Sequence, residues 1–447
     1  MEEIWDLYDK TGQRLNKTVA RSRQRDIADG EFMLAVHIFI VNSRGEWLIQ
    51  RRSDVKDWQP GTWDITGGAV LSGEESRDAA IREVREELGV TLLPGQLQLC
   101  RRLIRSRSLV DLWLAKADFA LSDCVLQPEE VSAVRWVGTP EFIALLRNAD
   151  YREAADEYAA VGESVVREAR ADFRCPVCGE ALLRDERTLH CVRRHSYDLA
   201  RQGYVNLLRS QTSSAGHHGD DKLMVASRSA FLDAGHYAHL REAVVQAALE
   251  RLPAFCTVLD AGCGEGYYTA ELYRAASEAG KDPAVLGVDV SKDALIAAAR
   301  RCKALRLAVG SIFALPVSDA SCDLIVNIFA PSAPSEFVRV LRPGGFLLRV
   351  FPLRRHLFEL KAAVYDHPYE NEEPSPELPG LTLTEVRRLC RPVHLENGGD
   401  IHRLFAMTPY YYKTGAADQS KLDALNELTV TTEFGLALYQ KSEAGHE

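Results

Sequence analysis

Long hydrophobic runs are missing from this 447-residue chain. None approaches the roughly 18 apolar residues that a membrane-spanning helix needs. Cysteine is sparse as well. Of ten residues, three fall inside the stretch 175–195 and seven are scattered singly, which is not the layout of a disulfide framework. An excess of positive charge is also absent. Net charge is −10, with 23 basic against 29 acidic residues through Arg170 and 31 against 35 beyond it. Any contact with nucleic acid would therefore have to use a local patch. No internal repeat is found, and NEEPSPELPG (371–380) is a Pro-rich loop. The opening MEEIWDLYDK is acidic and amphipathic, unlike a signal peptide. These absences lead to the expectation of a cytoplasmic protein with no membrane partner.

What is present suffices for sizeable cores, at 46% apolar and 26% charged residues. At about 100–200 residues per domain, the length suggests two to four domains. AVHIFIVNSRGEWLIQRRS reads as two strands joined at Asn42-Ser43-Arg44-Gly45. Ser76 to Leu88 reads as a charged helix stopped by Gly89, and residues 151–171 as a final helix and connector. From about Pro253, strands such as TVLDAG, AVLGVDV, CDLIVNIF and GGFLLRVF alternate with helices such as KDALIAAARRCKAL. That alternation predicts a parallel sheet flanked by helices, so the fold class is α/β.

Three constellations carry chemistry. In GGAVLSGEESRDAAIREVREELGV, Glu83, Glu86 and Glu87 project from one helical face. Three carboxylates repel there unless a cation sits among them, and a hard ion such as Mg²⁺ takes oxygen ligands. A solvated acidic face is the plain alternative. The spacing also matches G-x5-E-x7-R-E-U-x-E-E-x-G-U, with U aliphatic, from Gly68 through Glu74 and Arg82 to Val90. The segment thus resembles the Nudix hydrolases over roughly residues 1–165. The resemblance implies an α/β/α sandwich and Mg²⁺-dependent hydrolysis of a diphosphate-containing small molecule. It also implies Glu83, Glu86 and Glu87 as metal ligands, one of them or Glu74 assisting the water, and Arg82 bracing the loop. The flanks HIFIVNSRGEWLIQRRS and PGTWDITGG resemble members close to isopentenyl diphosphate isomerase. That isomerase uses a cysteine just before the box, where this chain has Gly67 and no cysteine before Cys100, so hydrolysis is expected.

The second constellation is Cys175-x2-Cys178-x12-Cys191-x3-His195. Three thiolates and an imidazole suit tetrahedral Zn²⁺, and a closed four-ligand site is structural. His190 is a weaker candidate for the fourth ligand. Seven arginines (174, 184, 187, 193, 194, 201, 209) face five acids between Ala171 and Ala215, an excess small enough for an ordinary solvated surface.

The third is TVLDAGCGEGYYT. Asp260 ends a strand, and Gly262, Gly264 and Gly266 follow. A glycine turn there lets a cofactor approach the backbone, and Asp289, ending the next strand, can hold ribose hydroxyls. The G-x-G-x-G spacing with an acid ahead resembles class I S-adenosylmethionine (SAM) methyltransferases, whose sheet is Rossmann-like. LRPGGFLLR (341–349) resembles their late hairpin turn.

From about Phe173 to Lys441 the chain resembles the 23S rRNA guanine-N1 methyltransferases. The likeness rests on the zinc ligands, YDLARQGYVNLL, FLDAGHY, VLDAGCGEGYYT, DVSKDAL, RHLFELK and MTPYYYKT, in that order. It implies that Tyr237, Gly264, Glu265, His356 and Asp289 contact SAM, within a site that also includes Asp260, Gly262 and Gly266. The expected partner is a 23S rRNA hairpin, gripped through the zinc module near Arg193, Arg194, Arg201 and Arg209, with Tyr204 stacking or packing. N1 lies on the Watson–Crick edge, so the target must be unpaired or flipped out. The base that takes the N1 proton is not identified, but the loop 327–331 is its expected neighbourhood. The expected organisation is a Nudix domain (1–165), a zinc-binding RNA-recognition module (172–215) and a methyltransferase domain (216–447). Two alternatives stay open: a Nudix unit that senses nucleotides without turnover, and a small-molecule methyltransferase with a structural zinc site.

Overall fold

A computed structural model describes residues 2–42, 45–56, 58–148, 154–169, 173–185, 187–191, 193–209 and 219–442. The chain divides into two compact units, residues 1–170 and 171–447. Among the described residues, no helix is long and apolar enough to cross a membrane.

The first unit is organised by the strand Phe32–Val41, which is buried along one face and half-buried to buried along the other. Leu34, Val36, Ile38 and Ile40 share one core with Val84 and Leu88 of the helix Ser76–Leu88. Phe39 turns the other way and meets Phe142 edge-on at 5.4 Å. Phe142 belongs to the helix Thr139–Leu146, which also stacks on Trp47 and packs against the helix Ala155–Ala169. Helices on both faces of one sheet make the α/β/α sandwich. The helix Ser76–Leu88 ends at Gly89, whose φ of 72° is the left-handed conformation that caps helices. A side chain there would also stand 2.8 Å from Val125 Cβ.

The expected hairpin is only partly formed. The strands Phe32–Val41 and Trp47–Arg52 both exist, but among the described residues their ladder is limited to Val41–Trp47, with Asn42 N–H donating to the Glu46 carbonyl beyond it. Ser43 and Arg44 lie outside the described residues. Phe32–Val41 instead runs parallel to Ser108–Lys116, and Trp47–Arg52 lies antiparallel to Val131–Val137. A strand with no exposed residue on either face is satisfied best in the middle of a sheet, and distant segments supply its neighbours.

The second unit holds an eight-stranded sheet. Its spatial order is Tyr204–Asn206, Arg306–Val309, Asp282–Asp289, Phe255–Ala261, Cys322–Ile328, Leu341–Pro352, Leu428–Gln440 and Thr382–Leu395. The pairings through Leu341–Pro352 are parallel, and the last two are antiparallel. Alternation along the strands separates two cores. Val258 enters one and Leu259 the other. The cysteine-rich segment forms a meander of Leu183–Asp185, Thr188–His190 and Ser196–Asp198. This segment is not appended loosely. Phe173, Cys175, Leu189 and Cys191 share a core with Leu286 and Ala308 of the large sheet, and Arg174 pairs with Asp319 at 2.9 Å. Tyr204, weighed as a stacking residue, opens the edge strand and packs on the sheet's core.

Candidate functional site

In the first unit the glutamates converge on one arginine. Arg82 donates to both oxygens of Glu74 at 2.9 and 3.0 Å, to Glu83 at 2.8 Å, to Glu86 at 2.9 Å and to the Ala69 carbonyl at 2.8 Å. Glu87 sits deeper, in the row of Ala80 and Val84 that faces the core. There it accepts from Gln50 Nε2 at 2.9 Å, and Gln50 Oε1 accepts from Thr66 Oγ1 at 3.0 Å. Gln50 was not singled out in the sequence. Its signal is slight, a polar residue directly after the apolar run Trp47-Leu48-Ile49 and before two arginines. Burial pushes Glu87 up to about 8 and Glu83 up to about 7. One buried and one largely covered carboxylate, an all-oxygen donor set, fit a hard divalent cation, which would restore the charge that burial opposes. Their oxygens do not close into a tight cage, because Arg82 and Gln50 hold them. Mg²⁺ suits such an arrangement, since it keeps several of its waters.

Two glycines ahead of this helix make close approaches. A Cβ at Gly68 would fall 2.1 Å from Glu83 Cδ, and one at Gly67 would fall 2.6 Å from both the Val36 carbonyl oxygen and His37 Cδ2. A side chain at position 67 would therefore meet backbone and ring atoms of the strand Phe32–Val41.

In the second unit, Cys175, Cys178, Cys191 and His195 place one ligand atom each within 4.8 Å of all the others. The cluster contains His195 and not His190. Cys175 Sγ lies 3.5 Å and Cys191 Sγ 3.4 Å from His195 Nδ1, and Cys178 Sγ lies 3.6 Å from Cys191 Sγ. Tetrahedral zinc with Zn–S bonds of about 2.3 Å sets its ligands about 3.8 Å apart, so the donor set fits Zn²⁺. Left-handed backbone follows the first ligand pair, at Gly179 (φ 79°), and lies within the second, at Arg194 (φ 66°) just before His195. The turns close through Gly179 N–H to the Cys175 carbonyl and Arg194 N–H to the Cys191 carbonyl. Tyr197 was unforeseen. Its hydroxyl lies 3.2 Å from Cys175 Sγ. Of the surface arginines, Arg193 faces Glu180 at 3.5 Å, while Arg194, Arg201 and Arg209 are exposed.

The glycine loop leaves the strand Phe255–Ala261 and enters the helix Tyr267–Glu278. Gly262, Gly264 and Gly266 all have positive φ, at 94°, 53° and 78°. Asp289 accepts from Gly264 N–H at 2.9 Å and Ser291 N–H at 2.8 Å. Burial nevertheless raises its pKa. Each carboxylate oxygen keeps a further lone pair for a hydroxyl. Glu265 is buried 3.8 Å from Arg228, which also pairs with Asp220. Neither Arg228 nor Asp220 was expected, since both lie outside the glycine motif.

Tyr237 and His356, far apart in sequence, come together with ring centroids 6.4 Å apart, both against Phe434. Burial is the main reason that His356 is pushed down to about 3. Its Nδ1 accepts from Glu433 N–H at 3.2 Å, so the neutral ring carries its proton on Nε2. Among the described residues, Tyr237 Oη, Asp260 Oδ1 and Asn327 Oδ1 are buried without a partner. Unsatisfied buried polar atoms beside a glycine cradle are what a site built for a polar cofactor presents, and the residues fit SAM.

Asp260 yields a stability prediction. Burial pushes its carboxyl up to about 7, against the Thr269 hydroxyl bond that lowers it. The unfolded chain ionises it near its ordinary 3.8. Its contribution is therefore full below about pH 4 and is lost as pH rises to about 7. Asp260→Asn should melt like the parent at pH 4 and higher than it at pH 8, by at most about 4 kcal/mol. Thermal melts across that range check this, and equal melting at pH 8 would contradict it.

The geometry defines a class first: a Nudix-type sandwich, and a zinc ribbon built onto a class I methyltransferase sheet. The family comparisons agree. Residues 31–158 match the NUDIX domain, 173–214 the family described as RlmA, N-terminal, and 258–345 a methyltransferase domain. A 23S rRNA (guanine(748)-N(1))-methyltransferase of Streptomyces fradiae is 36% identical over 276 residues, which are 59% of this chain and 95% of that protein. An uncharacterized Nudix hydrolase of Listeria innocua is 40% identical over 149 residues, 33% of this chain and 86% of that protein. The chain thus belongs to the 23S rRNA (guanine-N1)-methyltransferase family in its carboxy-terminal part and to the Nudix hydrolases in its amino-terminal part.

Proposed function

We propose that the chain is a bifunctional enzyme that methylates N1 of an unpaired guanine in a 23S rRNA hairpin and hydrolyses a diphosphate-containing small molecule with Mg²⁺. The domains would divide as residues 1–165, 172–215 and 216–447. The observation that carries the first activity is the coincidence of the RNA methyltransferase relative, which this chain matches over 95% of its length, with a cofactor cradle of buried, unpartnered polar atoms. SAM, when bound, supplies a methyl group activated by a positive sulfur. Asp289 and the Gly262–Gly266 backbone would hold its ribose and carboxylate ends. Tyr237, Asp260, Glu265 and His356 would line the site. Proximity and orientation supply most of what such a transfer needs. The zinc ribbon, anchored in the sheet's core, would present Arg194, Arg201 and Arg209 to RNA phosphates. In the first unit, Glu83, Glu86 and Glu87 would hold Mg²⁺, with Glu74 or one of these three assisting the attacking water. A ribosomal substrate would be met in the cytoplasm, which is the location this reading calls for.

N1 methylation replaces the pairing proton, so reverse transcriptase should stall at the modified base. RNA from cells lacking the gene should read through, and purified protein with SAM should restore the stop. Asp289→Ala should weaken SAM binding about tenfold or more, as expected for a lost charge-assisted contact, and slow the stop accordingly. A stop at an adenine, or methylation at another guanine position, would make the N1 assignment wrong. Transfer to a small metabolite and to no RNA would favour the small-molecule alternative.

A further inference from the structure

We infer that Phe329 is the platform on which the methyl-accepting guanine stacks, an inference that rests on the N1-methylation reading above. Phe329 follows the strand Cys322–Ile328 and has a φ of 52°. A bulky non-glycine residue rarely adopts that backbone, and such outliers gather at functional sites. The strain does not serve to bury the ring, which remains 44% exposed. Its ring neighbours His356 and Phe434 are both buried. His356 backs the Phe329 ring nearly in parallel, at 6.4 Å and 16°, and Phe434 lies 5.5 Å away. The result is a supported aromatic ring with much of its surface still open to water.

The loop that carries this ring is fastened to the cofactor cradle. Asn327, fully buried, donates to the Ala261 carbonyl at 2.9 Å and to the Pro331 carbonyl at 3.1 Å. Ala330 packs so closely on Gly262 that a Cβ at Gly262 would fall 2.5 Å from the Ala330 methyl. The sheet order adds direction. Asp289 ends the strand on one side of Phe255–Ala261, and Phe329 follows the strand on the other side. A cofactor held by its ribose at Asp289 and along the glycine loop would have its far end on the Phe329 side of the strand Phe255–Ala261. The acceptor must approach there, clear of the ribose. A guanine offering N1 has left its base pair and lost its stacking neighbours. An exposed aromatic ring backed by His356 and Phe434 replaces one of them, and every base has a face to offer it.

The test uses the full chain and a 23S rRNA hairpin whose target guanine has been mapped by the reverse-transcription stop. Phe329→Ala should lower kcat/KM for the hairpin by about 10- to 100-fold, the scale of one lost base–aromatic stack. Phe329→Tyr and Phe329→Trp should stay within a few-fold of the parent, and SAM affinity by calorimetry should be nearly unchanged in all three. A binding measurement separates stacking from folding. With S-adenosylhomocysteine present, the parent should bind the guanine hairpin about tenfold or more tighter than the same hairpin with an abasic target position. Phe329→Ala should bind the two hairpins equally. If Phe329→Ala still discriminates between them like the parent, or loses SAM affinity as much as RNA turnover, the platform is refuted while the methylation reading stands. If the parent methylates no hairpin, the methylation reading fails and the platform falls with it.

Discussion

Glu87→Gln is expected to lower Mg²⁺-dependent diphosphate hydrolysis by about a hundredfold or more, the scale set by losing a catalytic group or a metal-orienting contact. Glu87 is 7% exposed and faces Gln50, which is itself fixed by Thr66. A carboxylate so placed is costly without a cation and a strong ligand with one. Glutamine keeps the shape and the oxygen but removes the charge. The variant should therefore melt no lower than the parent when divalent ions are absent, which separates lost chemistry from lost folding. Methyl transfer should be unchanged, because the cluster lies in residues 1–170 and the cofactor cradle in residues 171–447. A screen over nucleotide diphosphates and prenyl diphosphates, run on parent and variant, supplies the measurement. Full hydrolysis by Glu87→Gln, or loss of methylation in the folded variant, would contradict this account. A parent that binds nucleotides and turns none over would favour the sensing alternative.

Cys178→Ser is expected to abolish stoichiometric zinc, taking the parent's content of about one ion per chain to near zero. The consequences should spread beyond the ribbon. Cys175 and Cys191 are 1% and 2% exposed, and they pack in one core with Leu286 and Ala308. Structural zinc contributes folding free energy of about 10 kcal/mol or more in isolated modules. The variant should lose hairpin affinity first, because the exposed arginines ride on the ribbon. SAM binding should suffer less. The edge strand Tyr204–Asn206 is separated from the cradle strand Phe255–Ala261 by Arg306–Val309 and Asp282–Asp289. Elemental analysis, calorimetry with SAM and hairpin binding test each step. Full zinc in Cys178→Ser would remove that residue from the ligand set, and equal loss of SAM and RNA binding would mean that the ribbon supports the whole sheet.

Much of this protein is local in its sequence. The helix Ser76–Leu88 with its terminal glycine, the two ligand pairs of the ribbon and the positive-φ glycines after Phe255–Ala261 each fall within one turn, helix or strand junction. Spacing alone decides which side chains share a face there. Tertiary structure decided the rest. Nothing near Glu87 in sequence announces Gln50, and nothing near Phe32–Val41 announces Ser108–Lys116 as its long neighbour. The grouping of Tyr237, Phe329, His356 and Phe434, the anchoring of the ribbon through Leu286 and Ala308, and Arg228 beside Glu265 are of the same kind. Each depends on which buried surfaces meet after the chain has collapsed, a sum of many weak contacts between distant segments that no local spacing records.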